Sequence, residues 1–160
     1  MLKLNIKNET ARLRAVVLGI ATSIGPVPKV EDCYDPKSMQ HVIAGTYPKE
    51  EDMHPEMEAV AAILEKYNVE VFRPNVIENY NQIISRDIAF VIDDKLVRAN
   101  ILQDRDQEIV AISHVISKID SKNIIKLPEE CHVEGGDVMP WNNHIFIGTY
   151  SGEDYSDHIT

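Results

Sequence analysis

Three short apolar runs, each stopped by glycine or proline, mark the strands that the hydrophobic pattern predicts. They are "RLRAVVLGI" over residues 12–20, "VEVFRP" over 69–74 and "NIIKLP" over 123–128. Apolar runs of this length, bounded by residues that favour turns, are typical of buried strands.

Two longer segments carry apolar residues at helical spacing. Residues 54–68 predict a helix that starts at Pro55, since proline suits the first helical position. Its apolar stripe consists of Met57, Val60, Ala61, Leu64 and Tyr67. Asp104 and Gln107 resemble a capping box and predict a second helix that runs through Ile119. The stripe of this helix consists of Ile109, Ile112, Ile116 and Ile119.

Two further segments predict β-hairpins, because apolar arms flank a pair of turn-forming residues. They are residues 86–101, with a turn at Asp93-Asp94, and residues 138–150, with a turn at Asn142-Asn143. Before both hairpins, residues 21–53 contain four prolines and little periodicity. We interpret that segment as a long loop and a candidate lid, in which His41 could touch a ligand although a solvated loop is the favoured interpretation.

The predicted elements repeat along the chain. A shift of 49 residues places the first hairpin turn on the second, so hairpin, helix and strand recur about every fifty residues. One such unit is too small to bury its own apolar face, so about two and a half units must pack on one another. The pattern stops within a unit, and the array is therefore expected to continue beyond Thr160.

The charge of the chain narrows the classes of partner. The 160 residues include 26 acidic and 16 basic side chains, for a net charge of −10. This length predicts a single domain over residues 1–160. The negative charge would repel a phosphate backbone, so no nucleic acid is expected as a partner. It would favour a small cationic substrate, although solubility is the simpler explanation for most of the charge.

Neither the apolar runs nor the cysteines suggest a membrane or secreted protein. No run is long enough for a signal peptide or a membrane span, so no membrane partner is expected. Cys33 and Cys131 lie far apart and suggest no disulfide framework. The sequence therefore predicts a cytoplasmic protein.

The stretch "CHVEGGDVMPWNNH", residues 131–144, concentrates chemically active side chains. Cys131 and His132 are adjacent, so on an extended chain they face opposite ways and cannot form a catalytic Cys–His pair. We interpret Cys131 as a small buried residue. His132 and Glu134 match the H-x-E of zinc deaminases, but the P-C-x-x-C pair of those enzymes is missing. No metal and no cofactor is expected.

The glycine pair Gly135-Gly136 in the same stretch favours a bulge or a close approach of the backbone. Such a conformation would expose the flanking carboxylates of Glu134 and Asp137 at the mouth of the last hairpin.

The preceding hairpin also opens on a carboxylate, Asp87, which follows Arg86. Equivalent ends of pseudo-symmetric units converge, so Asp87 and Glu134 would together hold a planar cation such as a guanidinium. The alternative, of equal weight from spacing alone, is that Asp87 pairs with Arg86 or caps a turn while Glu134 is solvated.

The segments "SRDIAFVIDDKLVRA" and "HVEGGDVMPWNNHIFIG" resemble the two N-terminal signatures of the guanidino-group-modifying enzymes. That superfamily includes amidinotransferases, arginine deiminases and dimethylarginine dimethylaminohydrolases. The amidinotransferase branch is the most similar, and the resemblance covers most of residues 69–150. It implies an α/β fold, the five-bladed β/α propeller of ββαβ units around an axial funnel. The chain would form its N-terminal two and a half to three units.

The resemblance also implies a mechanism, in which a cysteine thiolate attacks the central carbon of a guanidino or ureido group. Asp87, next to Arg86, would then bind the substrate guanidinium. Glu134 would be the carboxylate partner of the catalytic histidine or of the substrate. Gly135 and Gly136 would let the backbone turn at the rim of the funnel. Asp137 would fix this substrate-binding loop.

One departure from the family pattern is severe. The H-x-D box of the catalytic histidine and the nucleophilic cysteine have no match in this chain, and His158 comes too early in the pattern. The chain alone is therefore expected to be inactive, as part of a hydrolase or an amidinotransferase that acts on an arginine-like substrate. A homodimer is compatible with this prediction.

Two other functions remain open from the sequence. One is a non-catalytic binding module on the same propeller scaffold, since a fold does not fix a function. The weaker one is a zinc-dependent hydrolase domain built around Cys131, His132 and Glu134.

Overall fold

The structure, a computed structural model, describes residues 1–33, 36–101 and 105–149. Within these ranges, seven short strands and four helices follow one another. They are β1 (Ala15–Val17), α1 (Pro36–Ala44), α2 (Glu50–Lys66), β2 (Glu70–Phe72), β3 (Ala89–Ile92), β4 (Lys95–Arg98), α3 (Gln107–Ala111), α4 (Ser113–Ile116), β5 (Ile124–Lys126), β6 (Val138–Trp141) and β7 (His144–Ile147). Turns of 3₁₀ helix lie at Val30–Asp32, Ser121–Asn123 and Gly135–Asp137.

The strands form three small sheets, and each sheet belongs to one repeat of the chain. β1 and β2 pair in parallel, with α2 between them along the chain. β3 and β4 form an antiparallel hairpin, and β5 adds to β4 in parallel after α3 and α4. β6 and β7 form the second hairpin. The predicted α/β class is confirmed, and the predicted order of hairpin, helix and strand is seen in full in the middle sheet.

The two hairpin turns have the same backbone conformation, as the repeat predicts. Asp93 has a φ of 50° and Asn142 a φ of 55°, which Asp and Asn tolerate better than other residues with a side chain. The N-terminal segment joins the two turns. Ile6 and Asp93 exchange backbone hydrogen bonds at 2.9 and 2.6 Å, and the Asn142 N–H donates to the Lys7 carbonyl at 2.7 Å. The two hairpins therefore lie side by side.

The core is apolar and draws on all of the repeats. Ile88, Leu96, Val115 and Val138 are buried, together with Ile20 and Phe72 near the first sheet. The isoleucine stripe that the sequence predicts for the second helical segment is buried at Ile112 and Ile119. Burial of these side chains is the main favourable term in the stability of such a domain.

Residues 21–53 differ from the predicted long loop. They contain the 3₁₀ turn at Val30–Asp32, the whole of α1 and the first residues of α2. Met39, Val42 and Ile43 of α1 have helical spacing, but the surrounding prolines and charges favour a loop, and no residue of α1 is buried.

Helix α2 begins earlier than the predicted start at Pro55, which lies inside the helix. The acidic residues Glu50, Glu51 and Asp52 fill its first turn, where negative charge is favourable near the free N–H groups. Only part of the predicted stripe is covered, because Ala61 is buried whereas Val60 and Tyr67 are exposed.

The second predicted helix is divided in two. Ile112, with φ −102° and ψ 10°, separates α3 from α4. Asp104 of the predicted capping box, the end of the last predicted hairpin and His158 lie outside the described residues. Among the helices of the described residues, none is both long and apolar enough to cross a membrane.

Candidate functional site

The candidate site lies where the chain enters the two hairpins. Asp87 ends a turn in which its own N–H meets the carbonyl of Ile84 at 3.4 Å, two residues before β3 begins. Glu134 immediately precedes the 3₁₀ turn that leads into β6. The Gly135 N–H donates to the Asp87 carbonyl at 3.0 Å, so the backbone itself joins the two entrances.

Both glycines of the pair lie at close approaches, Gly135 to backbone and Gly136 to a side chain. A Cβ atom on Gly135 would collide with the carbonyl oxygen of Arg86, a backbone atom that cannot turn away. A Cβ atom on Gly136 would lie 2.7 Å from the Oδ1 atom of Asp87. The structure therefore contains the close backbone approach that the glycine pair predicts, and Gly136 leaves room for the Asp87 carboxylate.

A guanidinium group occupies the space between the two carboxylates, and it belongs to Arg105 of the same chain. Its Nη1 atom lies 3.0 Å from Asp87 Oδ2 and 3.5 Å from Glu134 Oε1. Its Nε and Nη2 atoms donate to the two carboxylate oxygens of Glu108 at 2.7 and 3.3 Å. Nη2 also donates to the Ile84 carbonyl at 3.2 Å.

We call Asp87, Glu108 and Glu134 the carboxylate cluster. Burial increases from the rim inward, since the side chains of Glu134, Asp87 and Glu108 are 40%, 13% and 2% exposed. Three carboxylates around one cation carry a net negative charge in a partly dry site. Such a site binds a planar cation with five N–H donors in preference to a neutral group.

Arg105 and Glu108 are not among the site residues that the sequence predicts. Both lie at the start of the second helical segment, three residues apart, which is the spacing of an ion pair on one face of a helix. That local signal predicts a surface pair. Only the tertiary structure brings this pair to Asp87, because the turn before β3 comes from a different part of the chain.

The electrostatics of the cluster follow from burial and from the proximity of like charges. Burial raises the pKa of Glu108, and the charge of Asp87 adds to this, although Arg105 opposes both. Burial also raises the pKa of Glu134, followed by the charge of Asp87. Burial alone would lower the pKa of Arg105, but Glu108 and Asp87 outweigh it and raise the pKa above its ordinary value.

Arg86 does not join the carboxylate cluster. Its guanidinium donates to the carbonyls of Gly135 at 3.2 Å and Val138 at 3.0 Å. It also forms a two-pronged ion pair with Glu9, with both distances at 3.2 Å. Arg86 thus fixes the backbone of the second hairpin entrance, and the alternative in which it pairs with Asp87 is not what the structure has.

Asp137 holds the loop that follows Glu134. Its carbonyl accepts from the Gly148 N–H at 2.9 Å, and its N–H donates to the Glu134 carbonyl at 3.0 Å. A Cβ atom on Gly148 would lie 3.0 Å from Asp137 Oδ1. These contacts connect the carboxylate cluster to the end of β7.

The interpretation of Cys131 as a buried residue is wrong, because its side chain is exposed. The loop that carries it is held through its backbone. Asn100 Nδ2 donates to the carbonyls of Pro128 at 2.6 Å and Cys131 at 3.0 Å. In the part of the chain that the structure describes, no three His, Cys, Asp or Glu residues form a group that could hold a metal ion. The zinc-hydrolase alternative therefore gains no support.

Comparisons with known proteins bear on the fold. No family model and no curated protein sequence matches the chain. Among solved structures, it is similar to an amidinotransferase of the saxitoxin biosynthetic pathway from Microseira wollei. The TM-score is 0.59 at 15% identity, over 85% of this chain and 52% of that one. The inosamine-phosphate amidinotransferase of Streptomyces griseus gives a TM-score of 0.59 at 15% identity, over 88% and 53% of the two chains.

A third similar structure is the dimethylarginine dimethylaminohydrolase of Pseudomonas aeruginosa in complex with citrulline. Its TM-score is 0.60 at 12% identity, over 86% of this chain and 50% of that one. The chain therefore spans about half the length of the structures that it matches. At these identities the comparisons establish the fold: over most of its length, this chain has the fold of the amidinotransferases and dimethylarginine dimethylaminohydrolases.

Proposed function

We propose that the chain supplies the carboxylate side of an active site that modifies guanidino or ureido groups of arginine-like substrates. The observation that carries this proposal is the guanidinium of Arg105 inside the carboxylate cluster. The cluster has the shape and charge for that group, and a substrate guanidinium has the same planar set of donors.

In the proposed reaction, Asp87 binds the substrate guanidinium from a nearly buried position. Glu134, at the more exposed rim, holds a second substrate nitrogen or orients the catalytic histidine. A raised pKa suits Glu134 to this role, because it brings the carboxyl closer to the range in which protons are exchanged. Arg86, Gly135, Gly136 and Asp137 keep the two carboxylates at their positions.

The chemical steps of the proposal use a cysteine and a histidine of the intact protein. The thiolate adds to the central carbon, and the histidine protonates the departing amine or ammonia. A covalent amidino-thioether remains, and water or a second amine then attacks it and releases the thiolate. Attack by water makes the enzyme a hydrolase, and attack by an amine makes it an amidinotransferase.

The first test measures binding, because binding by this chain does not need the nucleophile. Butylguanidinium is titrated by calorimetry into the wild-type chain and into Asp87→Asn and Glu134→Gln. We expect affinity to fall about ten-fold or more for Asp87→Asn and less for Glu134→Gln, since Glu134 is more exposed.

Asp94→Asn is the matched control, because Asp94 lies on the same hairpin but pairs with Lys95 at its turn. It should bind butylguanidinium as the wild type does. Equal affinity in all four proteins would contradict the proposal, as would a preference for butylammonium over butylguanidinium.

A non-catalytic binding module is the second candidate, and one observation favours it. The carboxylate cluster already holds a cation of its own chain, so its charge is used without any substrate. The two candidates differ in the intact protein, where an amidine-bearing electrophile such as 2-chloroacetamidine should label a single cysteine of an enzyme. A protein in which no thiol reacts faster than free cysteine would be the binding module.

A further inference from the structure

A segment outside both hairpins, residues 6–9, contacts each of them, and we call it the linking segment. Ile6 exchanges backbone hydrogen bonds with Asp93 at the turn of the first hairpin. Asn8 forms an isolated antiparallel bridge with Trp141 at the turn of the second. The backbone of the linking segment is therefore anchored on both sides of the carboxylate cluster.

Glu9 follows these anchors and lies in a turn that Asn8 makes. Asn8 Oδ1 accepts from the Thr10 N–H at 3.0 Å and from the Thr10 hydroxyl at 3.3 Å, as asparagine side chains do in tight turns. The two carboxylate oxygens of Glu9 then lie 3.2 Å from Nη1 and Nη2 of Arg86. A two-pronged pair of this kind fixes the direction of a guanidinium as well as its distance.

Arg86 in turn holds the backbone beside Glu134. Its Nε atom donates to the Gly135 carbonyl at 3.2 Å, and its Nη2 atom donates to the Val138 carbonyl at 3.0 Å. The Gly135 N–H donates to the Asp87 carbonyl at 3.0 Å. Gly135 is thus held at both its N–H and its carbonyl, which fixes the backbone from which the Glu134 side chain extends.

The position of the Arg86 guanidinium depends on its pair with Glu9. The Arg86 side chain is 50% exposed, so water can replace the two carbonyls as acceptors of its N–H groups. Hydrogen bonds between two charged groups are about twice as strong as neutral ones. The pair with Glu9 therefore keeps the guanidinium from turning into solvent and away from the Gly135 carbonyl.

We propose that Glu9 is a positioning residue of the guanidinium site, which acts through Arg86 to hold Glu134 beside Asp87. This inference rests on the proposed function of the carboxylate cluster and adds a residue from outside both hairpins. Glu9 does not touch the ligand. Its replacement therefore changes the affinity for a guanidinium only as far as Glu134 contributes to binding.

The test is a double-mutant cycle, in which butylguanidinium is titrated by calorimetry into the wild type, Glu9→Gln, Glu134→Gln and the double variant. With Glu134 present, Glu9→Gln should lower the affinity about three-fold, an effect of the size that exposed ion pairs have. In the Glu134→Gln background, the same replacement should change the affinity by less than about 1.5-fold, because the group that it positions is gone. A merely structural role would lower the affinity equally in both backgrounds.

Glu58→Gln is the matched control, because Glu58 is also an exposed glutamate paired with an arginine, Arg73, at 2.6 Å in the first repeat. It removes the same charge and should leave the affinity unchanged. Equal losses in both backgrounds, no loss with Glu134 present, or the same loss in Glu58→Gln would overturn the inference and leave the guanidinium site intact. If butylguanidinium does not bind to the wild type, the proposed function fails and the inference with it.

Discussion

The second and third repeats each begin with a β-hairpin, but the strands of the two hairpins differ in how deeply they are buried. In the second repeat, β5 pairs with β4, and Leu96 and Val97 are buried on opposite faces of the strand. In the third, every residue of β7 is exposed. The two turns nevertheless share a left-handed residue at the same position. Both hairpins therefore share their local turn chemistry, although their strands differ in burial.

The same two repeats differ in the side chains at their entrances, and this difference creates the candidate site. A shift of 49 residues places Arg86 on Gly135, and it therefore places Asp87 on Gly136. The carboxylate of one repeat thus occupies the space that the glycine of the next leaves empty. If the two repeats had identical sequences here, positions 87 and 136 would both carry a carboxylate, and the two side chains would compete for the same space.

The largest effect is expected from Arg105→Ala, which removes the cation and leaves the carboxylate cluster uncompensated. Loss of one partner of a buried ion pair costs about 3–5 kcal/mol, and Glu108 is only 2% exposed. Urea unfolding of the variant and the wild type measures this loss. A loss below about 1 kcal/mol would mean that the cluster is solvated and its charges matter little.

The Arg105→Ala variant also offers a sharper experiment, because the vacated space should accept an external guanidinium. Millimolar ethylguanidinium is expected to raise the melting temperature of the variant by more than that of the wild type, in which Arg105 competes for the same carboxylates. Ethylammonium at the same concentration is the control, since it has the charge without the planar donors. Equal effects of the two cations would show that the cluster selects charge and not shape.

Gly135→Ala is expected to have the next largest effect, because its Cβ atom would strike the carbonyl of Arg86. The two hairpin entrances would have to move apart, at a cost of about 1–3 kcal/mol. Gly148→Ala is the matched control, since its Cβ atom would meet the Asp137 side chain at 3.0 Å, and that side chain can turn. Similar unfolding free energies for both variants would contradict the close approach of the two repeats.

The smallest expected effect is on the pH dependence of stability. It distinguishes Glu108, in the second repeat, from Glu134, in the third. Both carboxyls have a pKa above the ordinary 4.5, so just above that pH the folded chain binds more protons than the unfolded chain. The stabilisation that these raised pKa values give is fully present below pH 4.5. It is lost as the pH rises through the pKa of each carboxyl in the folded chain. Glutamine mimics the protonated carboxyl at every pH, so a glutamine variant does not lose this stabilisation as the pH rises.

Glu108→Gln should therefore gain stability relative to the wild type as the pH rises from 4.5 toward neutrality. Glu134→Gln should do so to a smaller extent, because Glu134 is 40% exposed and Glu108 only 2%. Urea unfolding across this pH range measures both differences. A gain that is larger for Glu134→Gln would contradict the order of burial within the cluster.

The parts of the fold that the sequence predicts are those with local causes. Turn residues at Asp93 and Asn142 fix both hairpins, and the repeat follows from their spacing. The glycine pair signals its close approach, because two adjacent glycines before a strand have few other uses. Asp87 and Glu134 are predicted as site residues for the same reason, because they are the carboxylates nearest to the first hairpin and to the glycine pair.

The parts that the sequence does not predict depend on contacts between distant segments. Arg105 has a local partner at helical spacing, and its contact with Asp87 appears only when the second helix packs against the turn before β3. The sequence predicts a loop at helix α1, because prolines and charges surround the short apolar pattern of Met39, Val42 and Ile43. Cys131 looks like a core residue by type, yet its loop is held by the backbone contacts of Asn100 and leaves the thiol exposed.

The hydrogen bonds from residues 6–8 to both hairpin turns have a consequence for the order of folding. During synthesis, Ile6 leaves the ribosome long before Asp93, and Asn142 follows later still. Residues 6–8 must therefore wait, unpaired, for partners from the hairpin of the third repeat, and their docking closes a long loop of the described chain. An extension inserted just ahead of Ile6 would slow this late docking and leave the earlier pairing of each hairpin untouched.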